Sequence, residues 1–125
     1  MDKLGVGVIG CGGISMFKHF PALVKLKHRL ELTGFCDIVE ERAGNACQKY
    51  GDPGAKVYVD YRRLLEDETI DVVYVLTPNV SHSLITVDAL EAGKHVLCEK
   101  PMAATLAQAE RMLAAAQRGQ PPRIV

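Results

Sequence analysis

Residues 5 to 15 read GVGVIGCGGIS, and the fold turns on whether this stretch is a strand running straight into a helix. Val6, Val8 and Ile9 form a short apolar run suited to a sheet, and the glycines after them mark an abrupt turn. From Gly12 to about Lys27, Ile14, Phe17, Ala22, Leu23 and Leu26 then recur at helical spacing. Strand, tight glycine turn and helix together open a parallel βαβ unit. Pro21 falls inside that helix, where it removes a donor and crowds the preceding turn, so a kink or a division into two short helices is expected near Phe20.

The alternation continues along the chain. Leu30 to Cys36 reads as a second strand ending on Asp37, and residues 39 to 50 as a helix stopped by Gly51-Asp52-Pro53-Gly54. A short third strand is expected over Lys56 to Val59 and a short helix over Tyr61 to Glu66. Ile70 to Leu76 is the most β-branched and apolar run, expected as a central strand buried on both faces. Asn79 is placed to cap the next helix and Gly93 to end it. Residues 95 onward form strand five, and Thr105 with Gln108 makes a capping box for a last helix closed by Gly119. The pattern predicts a single-domain α/β fold, a Rossmann-type doubly wound parallel sheet over residues 1–120. Residues 121–125 then read as the start of a sixth strand or a linker.

Composition narrows the function. The 125 residues are 48% hydrophobic and 24% charged, enough for one core. Fifteen basic residues balance fifteen acidic ones with no basic cluster among aromatics, which argues against a nucleic-acid partner. Cys11, Cys36, Cys47 and Cys98 show no C-x-x-C pairing and read as small core residues in a reduced compartment. The stretch before Leu4 is too short for a signal peptide and no apolar run approaches membrane-spanning length, so a soluble, cytoplasmic protein with no membrane partner and no metal is expected.

In an open parallel sheet, ligands bind beyond the carboxyl ends of the strands, where helix N-termini offer N–H groups. After strand one, Gly10 makes the tight turn, Gly12 lets backbone approach a pyrophosphate, and Ser15 takes the third slot of G-x-G-x-x-G, where its small side chain still allows close packing. Gly13 and Ile14 complete the loop. Asp37 lies somewhat beyond the usual spacing of about 20 residues, yet at the strand-two end where a carboxylate accepts hydrogen bonds from an adenosine ribose. It could also cap the helix beginning near Val39, and the two roles are compatible. A carboxylate there repels a 2′-phosphate and favours NAD over NADP, although Arg42 nearby could accommodate that phosphate. Thr77-Pro78-Asn79 ends strand four, over which the nicotinamide half would lie. His82 either reaches cofactor or substrate or packs, with packing the stronger reading. His19, His28 and His95 read as surface or core residues.

The stretch HVLCEKPMA, 95 to 103, ends an apolar strand on Glu99, Lys100 and Pro101, and charges at that point imply something that uses them. Together, GVGVIGCGGIS, Asp37 and TPNVSHSLITVDALEAGKHVLCEKPMA resemble the N-terminal domain of the Gfo/Idh/MocA oxidoreductases, a likeness running from Val6 to Val125. The resemblance implies that Glu99-Lys100-Pro101 is the active-site motif. Lys100 would be catalytic, beside the nicotinamide and orienting substrate, with the peptide bond before Pro101 often cis. It implies cofactor contacts from Gly10, Gly12, Gly13, Ile14, Ser15, Asp37, Thr77, Pro78, Asn79, His82, Glu99 and Lys100, a nicotinamide cofactor, and a sugar, inositol or related polyol substrate. Family members also carry a C-terminal α/β substrate domain that supplies specificity and usually the oligomer interface. That domain is absent from these 125 residues, so the chain is expected to be a cofactor domain, not competent alone, from a homo-oligomer. Two other readings compete: a stand-alone NAD(H)-sensing module, for which Lys100 is incidental, and an S-adenosylmethionine methyltransferase, against which the Glu99-Lys100-Pro101 and Thr77-Pro78-Asn79 blocks argue.

Overall fold

The computed structural model describes residues 2–119, 123 and 124. Five parallel strands form one sheet: β1 (Leu4–Ile9), β2 (Leu30–Cys36), β3 (Lys56–Tyr58), β4 (Val72–Val75) and β5 (His95–Cys98), in the order β3-β2-β1-β4-β5. The order reverses between β1 and β4, and there the chain leaves the sheet in opposite directions to build its two layers. The helices are α1 (Phe20–Val24), α2 (Glu40–Tyr50), α3 (Tyr61–Leu65), α4 (His82–Glu91) and α5 (Leu106–Arg118).

Side-chain alternation along β1 sorts the core. Val6 and Val8 face one layer, with Phe20 and Leu23 from α1, Ala43 and Ala46 from α2, and Phe35 from β2. Phe20 stacks on Tyr50 with ring centroids 4.9 Å apart. Ile9 faces the other layer with Val73, Val75 and Val96, beneath Leu64 of α3, Ile85 and Ala89 of α4 and Ala115 of α5. This two-layer cover is the doubly wound α/β arrangement the sequence predicts.

Several local expectations change. The segment after β1 divides at Phe20 into two short helical pieces, as expected, but by a change of helical pitch and not by a break: a π-helical turn, Ser15–His19, runs directly into α1 with right-handed helical dihedrals at Ile14, His19 and Phe20. The Phe20 N–H reaches back five residues to the Ser15 carbonyl, and the widened turn places Pro21, which has no N–H to donate, at the junction with α1. β4 is internal, but only Val73 and Val75 are fully buried; Val72 and Tyr74 are half-buried. The short α1 covers that face incompletely toward β5, where Leu97 is exposed. β1 is the strand buried on both faces. Asn79 does not cap α4: Asn79–Ser81 form a 3-10 turn and Ser81 takes the N-cap position.

Gly93 ends α4 with a φ of 84°, the left-handed conformation that glycine adopts most easily. Thr105 caps α5, its hydroxyl accepting the Gln108 N–H at 3.2 Å, while the Gln108 side chain accepts the Ala104 N–H. Of the expected sixth strand or linker, residues 121, 122 and 125 lie outside the described residues. The Ile124 carbonyl accepts the Val96 N–H on the side of β5 away from β4. Among the described residues no helix is long and apolar enough to cross a membrane.

Candidate cofactor site at the carboxyl ends of the strands

A cavity of about 570 Å³ opens where the strand order reverses. It is lined by Gly10, Gly12, Gly13 and Ile14 after β1, by Asp37, Ile38 and Arg42 after β2, by Val59 and Tyr61 after β3, and by Thr77, Pro78 and Val80 after β4. Its size falls in the range of small-ligand and cofactor sites.

Two glycines of the loop do different work. Gly10 has a φ of 101°, and a Cβ there would lie 2.6 Å from the Leu76 carbonyl oxygen, so glycine is required where the end of β1 meets the end of β4. At Gly12 a Cβ would meet nothing within 4 Å; the position borders the cavity and leaves the backbone open to a ligand. Ser15 is fully buried and its hydroxyl donates to the Gly10 carbonyl, tying the first helical turn to the loop. It braces the cavity without lining it.

Asp37 spans two elements. One carboxylate oxygen accepts the Cys11 N–H at 2.9 Å and the other the Val39 N–H at 2.8 Å, so it joins the glycine loop to the start of α2. Each oxygen keeps a lone pair, and the side chain borders the cavity. Arg42 lines the same end.

Thr77 and Pro78 line the cavity at the end of β4, and the Thr77 and Ser81 hydroxyls lie 2.6 Å apart. His82 is 1% exposed, with Nδ1 2.7 Å from the Pro101 carbonyl and Nε2 2.7 Å from the Thr77 carbonyl. It is a strut between the loops after β4 and β5, not a cavity wall. Glu99 continues the ladder, its N–H donating to the Val75 carbonyl, and Lys100 follows as an exposed residue before a cis bond to Pro101. The sheet therefore sets the Thr77-Pro78 and Glu99-Lys100-Pro101 loops side by side.

Sequence reasoning missed one participant. His19 Nε2 lies 2.7 Å from Glu99 Oε2, across 80 residues of chain. This contact, together with the Lys100 N–H, holds the Glu99 carboxyl below the usual glutamate range. The only hint in the sequence is Glu99 itself, a carboxylate ending an apolar strand and in need of a partner. The thiols behave otherwise: burial, reinforced by the nearby Asp37 charge, pushes Cys11 and Cys36 up to about 12, which keeps both protonated core residues.

Residues 4–121 match the profile of the Gfo/Idh/MocA oxidoreductase family, described as having an NAD-binding Rossmann fold. Inositol 2-dehydrogenase from Salmonella typhimurium is 38% identical over 115 residues, covering 92% of this chain and 34% of that protein. A dTDP-3,4-didehydro-2,6-dideoxy-alpha-D-glucose 3-reductase from Actinomadura kijaniata is 38% identical over 116 residues, 93% of this chain and 34% of the relative. Among solved structures, a 3-ketoreductase from Actinomadura kijaniata in complex with NADP and TDP-benzene superposes with a TM-score of 0.84 at 37% identity, over 93% of this chain and 34% of that one. The WlbA dehydrogenase from Bordetella pertussis, in complex with NADH and UDP-GlcNAcA, superposes with a TM-score of 0.85 at 30% identity, over 93% and 35%. The chain thus spans about a third of the length of these relatives.

Proposed function

Because this chain belongs to the Gfo/Idh/MocA oxidoreductase family, we propose that residues 1–120 are the cofactor half of an enzyme that moves a hydride between a nicotinamide and a sugar, inositol or related polyol. The observation that carries this reading is the cavity itself, which gathers the glycine loop, Asp37 and Thr77-Pro78 at the point of strand reversal. In this reading Gly10, Gly12, Gly13 and Ile14 cradle a pyrophosphate, with Ser15 bracing the loop from behind. Asp37 accepts from the adenosine ribose between Ile38 and Arg42, and Thr77, Pro78 and Asn79 border the nicotinamide, the group that supplies or accepts the hydride.

NAD is the preferred cofactor in this account. Asp37 faces the ribose end with both oxygens fixed by backbone N–H groups, and a 2′-phosphate there would meet a carboxylate that cannot swing away. The relatives in complex with NADP and with NADH mark the two alternatives, and Arg42 is the residue through which NADP would be tolerated. Lys100 is the catalytic residue: an ammonium beside a developing alkoxide or carbonyl oxygen stabilises charge and can pass a proton. Glu99 and His82 hold the loop that carries it.

Hydride transfer requires reacting atoms held roughly 3 to 3.5 Å apart, and the 125-residue chain spans only a third of relatives that perform such chemistry on sugars and inositol. The chain by itself is therefore proposed to bind cofactor without turning over substrate. Reduction of NAD is measured with the chain against a panel of inositols, hexoses and nucleotide sugars. No turnover alongside retained NADH binding is expected; robust turnover by this chain would overturn the division of labour.

A further inference from the structure

We propose that His19, in the π-helical turn after the glycine loop, is a positioning residue that acts through Glu99 to hold the backbone of Lys100. The proposal rests on the reading of Lys100 as the residue at the reacting centre.

Glu99 is the node. Its Oε1 accepts the Lys100 N–H at 3.0 Å, and its Oε2 faces His19 Nε2 at 2.7 Å. One planar group thus satisfies both partners, and it cannot rotate toward one without releasing the other. The Glu99 main chain is fixed independently by its bond to Val75, so the carboxylate springs from a rigid strand end. The His19 ring is fixed as well, its plane at 85° to that of Tyr74 on β4 with centroids 5.7 Å apart. A wedge on β4, an imidazole, a carboxylate on β5 and the Lys100 amide form an unbroken line of contacts.

The local fold is shaped to provide this. A π-helical turn adds a residue relative to an α-helical one, and such turns recur at functional sites. Here it begins at Ser15, which is bonded to the glycine loop, and ends at His19, just before buried Phe20. The segment that anchors the proposed pyrophosphate loop therefore also delivers the ring that reaches Glu99. His19 and Glu99 remain partly in water, with side chains 18% and 27% exposed. Exposed pairs contribute little to global stability, so the consequence of this one is local.

The test is NMR on the 125-residue chain. The Lys100 amide proton reports ionisation of the carboxylate it donates to, and its titration midpoint is expected below the ordinary glutamate range. His19→Ala is expected to move that midpoint upward and to lower the Lys100 heteronuclear NOE. His19→Gln, whose amide can still donate to the carboxylate, is expected to keep the NOE. A folded His19→Ala variant with unchanged Lys100 midpoint and NOE would overturn the proposal. Should that variant fail to fold, Glu99→Ala serves: lost order at Lys100 in an otherwise unchanged spectrum supports the node, and retained order overturns it. NADH titration of the same samples keeps the two readings apart, since an unaltered chain that fails to bind NADH defeats the dinucleotide site while the Lys100 amide still judges His19.

Discussion

At Asp37, one side chain serves both the fold and the proposed ligand. Its oxygens already accept two backbone N–H groups, yet each retains capacity toward the cavity. Charged hydrogen bonds contribute about 1.5 to 3 kcal/mol, so Asp37→Ala should weaken NADH binding roughly 10- to 100-fold and NADPH binding less, as read by fluorescence titration with both cofactors. Equal losses would remove its role in cofactor choice. Gly10 gives the complementary case: Gly10→Ala imposes both an unfavourable φ and contact with Leu76, and should lower unfolding free energy by about 1 to 3 kcal/mol or more in urea titrations. The strand-end positions of the glycine loop, Asp37 and the Thr77 and Lys100 blocks could be read from sequence because each follows a local apolar run. His19 could not, because its partner lies 80 positions away and the π-helical turn departs from the period by which helix faces are read.

Among the elements, the strands were legible to within two residues at most ends because apolar runs and turn residues bound them. β2 was expected and found over the same residues. The expectation for β4 failed on one face because burial depends on the cover that α1 provides, and α1 is only five residues long. Packing also explains a feature of β1 that its apolar pattern leaves open: Gly7 lies where a Cβ would come 2.8 Å from Leu64, so the strand alternates valine with glycine to admit α3. α3 is further tied by Tyr61 donating to Asp88, and the end of β3 by Tyr58 donating to Asp67 at 2.9 Å. Burial, and then those carboxylates, raise both phenols from 10.0 to about 12. A folded value above the unfolded one means this contribution is complete below pH 10 and is lost as pH rises toward 12. Buried Lys94 works oppositely, since burial lowers its value and its cost has faded by pH 10.5. Urea midpoints should therefore fall with pH above that point, and fall less steeply in a Tyr58→Phe/Tyr61→Phe variant; identical slopes would contradict the assignment.

For the whole molecule, alternating strands and helices made the doubly wound sheet predictable, while the cavity emerges only when the carboxyl ends of β1, β2, β3 and β4 converge. The central claim is that this convergence binds a nicotinamide dinucleotide through the glycine loop. The most direct measurement is NADH fluorescence titration of the 125-residue chain beside Gly12→Val, a substitution that meets open space in the fold and fills the proposed path of the pyrophosphate. The account predicts saturable binding by the unaltered chain and its loss in a variant that keeps the same circular dichroism and urea midpoint. Absence of binding up to about 1 mM NADH, or equal affinity in folded Gly12→Val, would contradict it.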